Sequence, residues 1–460
     1  MQIVRAVLLS IMCWSATSAA LAGAKDESAA AWLFPQSFND WHDALANRGV
    51  SLDATYIADT IGNVTGGMQQ GVIEFGRLDI GVDTDFEKQA GWRGTTAHAN
   101  IFAIYGNGLT RNYIGNLAPV SEIEALPDVR LYEAYIEQSF WGGALLVKIG
   151  QQAADADFFD SKTDDLFING TFGWPAIDAV NLPAGGPSPP IAVPGFSVKA
   201  KLAPDITAFA AIFNGDPAEP GSSDAQLRDH HGLAFRLDVP PWIIGQVEYD
   251  YMLKIAGMNL PASITPGAWY HSGNFDDQRF DIEGLSLADP SGTGVPARLN
   301  GNYGIFVTLE QTLYRPLGDK VKEVSASTPG VTAFARAAYC PPDRNLIDYY
   351  FDGGVGIAGL VPGRQSDRFG TAIAYMHISS AVTALDLDSQ SFTGLPTPVR
   401  NFEAVWEVIY EAHIKSGWLL QPFFQFVIHP SGGAPNPRDP TGLSRLGDAL
   451  VFGLTTTLKY

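Results

Sequence analysis

Cysteine is nearly absent: the 460 residues hold two, Cys13 and Cys340, which excludes a fold stapled by a disulfide framework. Charge is scarce as well. Charged residues make up 17%, against roughly 25% in an ordinary soluble protein. Basic residues are the scarcer sign, with Lys+Arg 29 against Asp+Glu 49 and a formal charge of -20. A nucleic-acid partner needs a basic surface to neutralise phosphates, so that class is excluded. After the first two dozen residues no run reaches the ~20 consecutive apolar residues of a spanning helix. Spanning strands are not excluded, because only every second residue of such a strand faces lipid.

What is there begins with a leader. Arg5 precedes the apolar stretch Ala6–Trp14, and Ala22-Gly23-Ala24 supplies small residues before Lys25. That layout reads as a secretory signal over residues 1–24, too short to remain as an anchor. Met12 before Cys13 does not suit lipoprotein processing, which wants a small residue there. Residues 25–48 read as an N-terminal helical segment, with Trp32, Leu33, Trp41, Ala44 and Leu45 near helical spacing.

From residue 49 the period becomes two. Phe402, Ala404, Trp406, Val408, Tyr410 and Ala412 form one row, and Glu403, Val405, Glu407, Ile409 and Glu411 the other. Leu78, Ile80 and Val82 alternate with Arg77, Asp79 and Asp83. A third such run, from Trp418, sets Leu420, Phe424 and Phe426 against Gln421 and Gln425. Further runs begin near Ser51, Thr95, Leu131, Ala144, Phe196, Ile206, Leu233, Ile243, Tyr303, Val331, Phe351, Phe369 and Leu450. Sixteen strands result, an even number, as closed outer-membrane barrels require. The expected fold is therefore an all-β transmembrane antiparallel barrel over 49–460.

Connection lengths carry an independent signal. Glu87–Gly94, Phe140–Gly143, Ala203–Asp205, Pro240–Pro241, Val361–Asp367 and Lys415–Gly417 are short. Between them lie longer ones: Tyr105–Arg130, Gln151–Gly195, Asn214–His231, Ile255–Asn302, Ser379–Asn401 and Pro430–Arg445. Short turns at one end and long loops at the other belong to a membrane barrel, and a sandwich gives no reason for them. Tyr314–Gly330 and Cys340–Tyr349 break the alternation. The last strand ends as Leu450, Phe452, Leu454, Thr456, Leu458 and Tyr460, an apolar row closing on an aromatic.

Several stretches resemble the carbohydrate-selective porin (OprB) family. They are Ile61-Gly62-Asn63-Val64-Thr65-Gly66-Gly67, Leu78–Phe86, Arg130–Gln138 with Val147-Lys148-Ile149-Gly150, and above all Asp155–Pro175, followed by Gly185-Gly186-Pro187. The likeness runs from about Phe38 to Tyr460. The chain departs from the family's Gly-Asp-Trp-Gly-Gly at Asn39-Asp40-Trp41-His42-Asp43, and has Gly170 where Ser is common. The resemblance implies a sixteen-stranded barrel in the outer membrane of a Gram-negative bacterium, passing monosaccharides such as glucose by diffusion. It also implies outer-membrane lipid as surroundings and assembly machinery that reads the C-terminal strand.

Other motifs lead elsewhere and are weaker. Gly354-Val355-Gly356-Ile357-Ala358-Gly359 matches a dinucleotide fingerprint, but Leu360-Val361-Pro362-Gly363 follows where a helix must open. Asp155, Asp157, Asp160, Asp164 and Asp165 lack the central Gly and closing Glu of a calcium loop. His230-His231 has no third ligand at a fixed spacing. Glu403 and Glu407 could pair as glycosidase acids, but lie on one strand in a row of water-facing acids. No nucleophile elbow or phosphate loop is found, and neither cofactor nor metal is implied.

A sixteen-stranded barrel leaves a wide lumen, so selectivity needs an inner narrowing. The long segment 151–195, with Phe158, Phe159, Phe167, Phe172 and Trp174, is the candidate constriction loop. Inward residues by period are Arg77, Asp79, Glu133, Glu137, Lys148, Lys199, Arg236, Glu248, Glu310, Arg336, Glu403 and Glu407. The sugar-path candidates are Arg77, Asp79, Glu133, Glu137, Lys148, Asp157, Asn169, Phe172, Trp174, Arg236 and Arg336, since sugars present hydroxyl edges and apolar ring faces. Phe172 and Trp174 could instead anchor the loop to the wall. The acidic excess keeps a general or cation-preferring diffusion channel as an alternative, and a barrel enzyme is a further one. The pattern specifies no oligomeric state.

Overall fold

The computed structural model describes residues 30–316 and 329–460. The expected signal lies outside the described residues. Sixteen antiparallel strands close into one barrel. They are β1 (Val50–Gly67), β2 (Gly71–Asp85), β3 (Thr95–Tyr105), β4 (Val129–Phe140), β5 (Leu145–Gln152), β6 (Val193–Ala203), β7 (Ile206–Asn214) and β8 (Pro241–Ile255). There follow β9 (Met258–Asp281), β10 (Pro296–Tyr314), β11 (Gly330–Tyr339), β12 (Ile347–Ala358), β13 (Arg368–Ile378), β14 (Phe402–Lys415), β15 (Trp418–Ile428) and β16 (Gly447–Lys459). Each strand pairs with its sequence neighbours, and β1 pairs with β16 from Thr55↔Lys459 to Gly67↔Gly447. Closure removes both sheet edges, so strand N–H and C=O groups are satisfied without water, as a hydrocarbon surround demands.

The two faces separate as the period of two requires. On β14, Glu403 and Glu407 are 0% exposed, whereas Trp406 between them is 44% exposed. On β16, Val451 is buried and its neighbour Phe452 is 53% exposed. Ile80, Ile101, Ile136, Ile149 and Ile373 likewise stand exposed on the outer surface. Among the described residues no helix is long and apolar enough to cross a membrane. The outward apolar rows make the strands the membrane-crossing elements.

Connections also segregate by end. At the end that carries the chain termini they span 86–94, 141–144, 204–205, 256–257, 315–329, 359–367 and 416–417. At the opposite rim they span 68–70, 106–128, 153–192, 215–240, 282–295, 340–346, 379–401 and 429–446. Two strand expectations fail together. No strand begins at Leu233: Leu233, Phe235 and Leu237 alternate in sequence, but lie exposed in the 215–240 connection. The missing strand is β9, which occupies much of the supposed Ile255–Asn302 loop. Pro261 and Pro266 disguise it, because proline removes a ladder donor and reads as a break. Both nevertheless sit in register, Pro261 opposite Met252 and Pro266 opposite Val307. The errors cancel in the count, but β8 runs opposite to its expected direction.

The N-terminal segment covers the seam where the barrel closes. Its helix is Gln36–Ala46, and before it the Ala30 N–H donates to the Lys459 carbonyl at 2.6 Å. Trp32 Nε1 donates to Ser416 O at 2.7 Å. The ring of Tyr460 packs against Phe34, Phe38 and His42 at 4.6, 5.6 and 5.1 Å. Its hydroxyl donates to Asn39 Oδ1 at 2.8 Å.

Val408 lies two residues from Trp406 on the outer face of β14. Val408→Lys should cost about 2–4 kcal/mol, the price of a lysine near the bilayer midplane, read from urea unfolding in lipid. An unchanged midpoint would mean that this strand's faces are reversed.

Candidate functional site

The 153–192 connection does not stand above the rim. It enters the barrel, and the wall of β10–β15 is built to hold it. Arg336 on β11 sends its guanidinium to Asp352 on β12, at 2.5 to 3.1 Å. The same group donates to Asp164 Oδ2 at 3.1 Å and to the carbonyls of Phe159, Thr171 and Phe172 at 3.0, 3.2 and 2.6 Å. Tyr350 adds its hydroxyl to Asp352 at 2.6 Å and meets Thr171 at 2.9 Å. On β14, Glu407 accepts the backbone N–H groups of Ile168 and Asn169 at 2.8 and 2.9 Å. The Asn169 amide donates to Gln425 Oε1 at 3.1 Å. Arg368 on β13 bridges Glu411 at 2.7 Å and Asp165 at 2.8 Å. Glu310 on β10 receives the Ser161 hydroxyl at 2.7 Å.

Apolar packing fills the spaces between these clasps. Phe172 is fully buried, with Phe167 at 5.0 Å and Phe334 of β11 at 6.4 Å between ring centroids. Trp174 meets Phe159 and Trp242 edge-on at 5.4 and 6.3 Å, and its Nε1 donates to Gly185 O. Of the glycines that mimic a dinucleotide motif, Gly354 and Gly356 belong to β12 and Gly359 follows it. A Cβ on Gly354 would lie 2.8 Å from the Phe334 ring, and one on Gly356 would lie 2.9 Å from the Thr163 methyl. Gly356 is small where the infolded loop approaches the wall, and Gly354 where Ala372 and Phe334 of the adjacent strands close over it.

A second connection, 106–128, folds in beside the first. Glu122 N–H donates to Ile168 O at 3.0 Å, and Gly170 N–H to Pro119 O at 2.9 Å. Glu403 accepts from Leu117, Ala118 and Ser431 N–H groups at 2.8, 2.9 and 2.6 Å. On the other flank, Asp59 of β1 takes the Ser121 hydroxyl at 2.6 Å. Glu403 and Glu407 are therefore buried loop clasps, not the water-facing acids expected, and neither has a free carboxylate edge for glycoside chemistry.

Along β2–β6, Arg77, Asp79, Glu133, Glu137 and Lys148 stay half-exposed, beside a buried apolar cluster that includes Phe102, Ile104 and Tyr132. Arg77 lies over the Phe102 ring at 4.3 Å, and Phe102 stacks on Tyr132 at 4.2 Å. The Arg77 Nε has no hydrogen-bond partner. Its field reaches Asp79, Glu122 and Asp155. Glu122 is exposed although deep within the barrel, so its carboxylate edges open lumen. Burial lifts the Asp155 carboxyl to about 7, with Glu133 the next contributor. Lys148 pairs with Asp157 at 2.8 Å and lies 4.8 Å from the Tyr135 ring. Lys199 lies over Phe209 at 4.8 Å. These cations, with Glu137 and Ser197, line a niche of about 160 Å³.

The family model described as "Carbohydrate-selective porin, OprB family" matches residues 69–460. The chain belongs to that family. Porin B of Pseudomonas aeruginosa is 23% identical over 441 residues, covering 90% of this chain and 89% of its own. The putative porin QuiX of Acinetobacter baylyi is 22% identical over 458 residues, covering 93% of each. The high-pH structure of Pseudomonas putida OprB shares the fold, with a TM-score of 0.78 at 20% identity over 92% of this chain and 97% of that one. This OprB-family chain is thus a carbohydrate-selective outer-membrane porin, a channel and not an enzyme.

The porin's candidate residues divide between wall and lumen. Arg77, Asp79, Glu133, Glu137, Lys148 and Asp157 gather on the half-exposed side; Asp79 is held by Asn100 at 2.9 Å and Glu133 by Ala153 N–H at 2.9 Å. Asn169, Phe172, Trp174 and Arg336 are buried and hold the loop. Arg236, expected on a strand, lies in the 215–240 connection, where it donates to Ala218 O at 2.5 Å and pairs with Asp216 at 3.7 Å. The five aspartates weighed for calcium are dispersed, with Asp157, Asp164 and Asp165 each taken by a different cation. Beside these candidates lie Glu122, Phe102 and Tyr132, which the sequence did not single out, and Asp155, which it weighed only as a calcium ligand. Phe102 and Tyr132 stack on each other, buried beneath Arg77.

Arg336→Ala would leave Asp164 and Asp352 buried without their cation, a loss of about 3–5 kcal/mol. Urea unfolding of the detergent-solubilised porin measures it, and protease nicking within 153–192 should accelerate. Wild-type stability and protease resistance in that variant would show that the clasp holds little.

Proposed function

We propose that glucose-sized monosaccharides cross by passive diffusion through the polar crescent between β2–β6 and the two infolded loops. The observation that carries this reading is Arg77, laid over the Phe102 ring with its Nε unpaired and near enough to Glu122 of the 106–128 connection and Asp155 of the 153–192 connection for its charge to favour their ionised forms. A guanidinium and carboxylates can together grip the donor and acceptor edges of a sugar ring, while the buried Phe102–Tyr132 stack supports the guanidinium from beneath. Opposed charges also keep the local field small, which favours a neutral solute over ions. Asp79, Glu133, Glu137, Lys148 and Asp157 continue the same polar track.

The clasping residues act at one remove: Asn169, Phe172, Trp174 and Arg336 narrow the lumen by fixing the loop. The acidic excess supports a second reading, a cation-preferring general channel. Export by a signal over residues 1–24, assembly through the outward row ending at Leu458, and a surround of outer-membrane lipid belong to the same proposal. The long-loop rim would then face the exterior and the termini the periplasm.

Swelling of proteoliposomes in glucose, a disaccharide and salt separates the readings. Arg77→Ala should lower the glucose preference over the disaccharide by roughly tenfold, the worth of one charge-assisted hydrogen bond, with Arg77→Lys recovering only part. Faster swelling in salt than in glucose, unaffected by Arg77→Ala, would favour the cation channel.

A further inference from the structure

His230 and His231 sit in the 215–240 connection, and the fold supplies what their sequence spacing lacks, a third ligand about a hundred residues earlier. Asp128, at the base of β4, places Oδ1 2.8 Å from His231 Nδ1 and Oδ2 3.7 Å from His230 Nδ1. Among the described residues this is the group whose ligand atoms converge, all within 4.8 Å of one another. Adjacent side chains ordinarily diverge. Here His231 adopts a left-handed backbone, φ 63°, which brings the two imidazoles to 4.0 Å.

The turn that presents them is anchored on both sides. The buried Arg130 guanidinium donates to Asp229 O, and Asp229 Oδ1 accepts the Ala234 N–H at 2.9 Å. Gln151 Nε2 donates to Gly232 O at 3.0 Å. His231 N–H donates to Asp128 Oδ2 at 3.0 Å, which orients the carboxylate. Both imidazoles are more than half exposed, so a metal could enter and keep water in a remaining position.

We propose that Asp128, His230 and His231 bind a divalent transition-metal ion of the zinc class at the long-loop rim, tying the 215–240 connection to β4. Two imidazoles and one carboxylate suit zinc, nickel or copper, whereas calcium and magnesium prefer all-oxygen sites. Tetrahedral coordination at roughly 2.1 Å per ligand separates ligand atoms by about 3.4 Å. The ligand atoms lie within 4.8 Å of one another, and His231 Nδ1 also meets the Val129 carbonyl at 2.9 Å, so metal entry releases that hydrogen bond as side-chain rotations draw the three groups together.

The test uses full-length porin in detergent, purified without a polyhistidine tag and titrated with zinc in a calorimeter. One equivalent should bind, undisturbed by tenfold magnesium or calcium. Affinity should fall at least tenfold in His230→Ala and in His231→Asn, the latter chosen because asparagine tolerates a left-handed backbone. Trypsin cleavage after Arg228 and Arg236 should slow with zinc in the wild type and not in either variant. Absence of saturable binding would overturn the proposal. So would undiminished binding in the double variant, which would locate the metal elsewhere.

Discussion

About forty residues, 153–192, irregular chain broken by short helical turns such as Gly170–Gly173 and Ala176–Asn181, run inside a barrel whose wall is β-ladder. Every N–H and C=O they carry needs a partner, and chain of this kind persists at membrane depth only inside protein or along a water-filled cavity. Arg336 meets much of that demand. One guanidinium gathers three loop carbonyls, a loop carboxylate and a wall carboxylate. Glu407 does the reverse, offering one carboxylate to two loop N–H groups. These are buried charges, costly to desolvate and stable only because each is paired and hydrogen-bonded. The loop's position is thus written into the wall, not into the loop alone.

That commitment divides the barrel. From β10 to β15 the inward residues are spent on holding chain: Glu310, Arg336, Tyr350, Arg368, Glu407 and Gln425 all bond loop atoms, and Gly356 on β12 makes room for them. On β2–β5, Arg77, Asp79, Glu133, Glu137 and Lys148 remain half-exposed, while Phe102 and Tyr132 are buried beneath Arg77. The 106–128 connection sits at the boundary, bonded to Glu403 on one side and Asp59 on the other. It carries the exposed Glu122 within reach of the Arg77 charge. The wall that seats the loops is not a perfect ladder: pairs such as β1 with β16 and β3 with β4 carry register shifts.

How far the sequence reveals this follows from which forces act locally. Lipid outside and water or loop inside impose a period of two, so the strand faces, the outward row of β16 and the even count were legible. The period failed at β9, where Pro261, Pro266 and small residues weaken the alternation. It misled at Leu233–Leu237, where alternation persists in chain that pairs with no strand. The inward direction of Glu407 was legible, but its role was not: its partner Ile168 lies 239 positions away, and only the fold shows that it meets backbone and not water. His230-His231 fails for the same reason, since Asp128 joins it through the barrel rim. Trp174 and Phe172 were recognisable as loop aromatics; the fold adds that both are buried against the wall.

The central claim is that the infolded 153–192 connection sets both the width of the passage and its preference for sugars. Single-channel recording of a porin with Asp164–Pro189 replaced by a short Gly-Ser linker tests it most directly, with glucose added to either side. The account predicts a barrel that still assembles, a severalfold rise in conductance and loss of current block by glucose. A correctly folded variant with wild-type conductance and undiminished glucose block would contradict it.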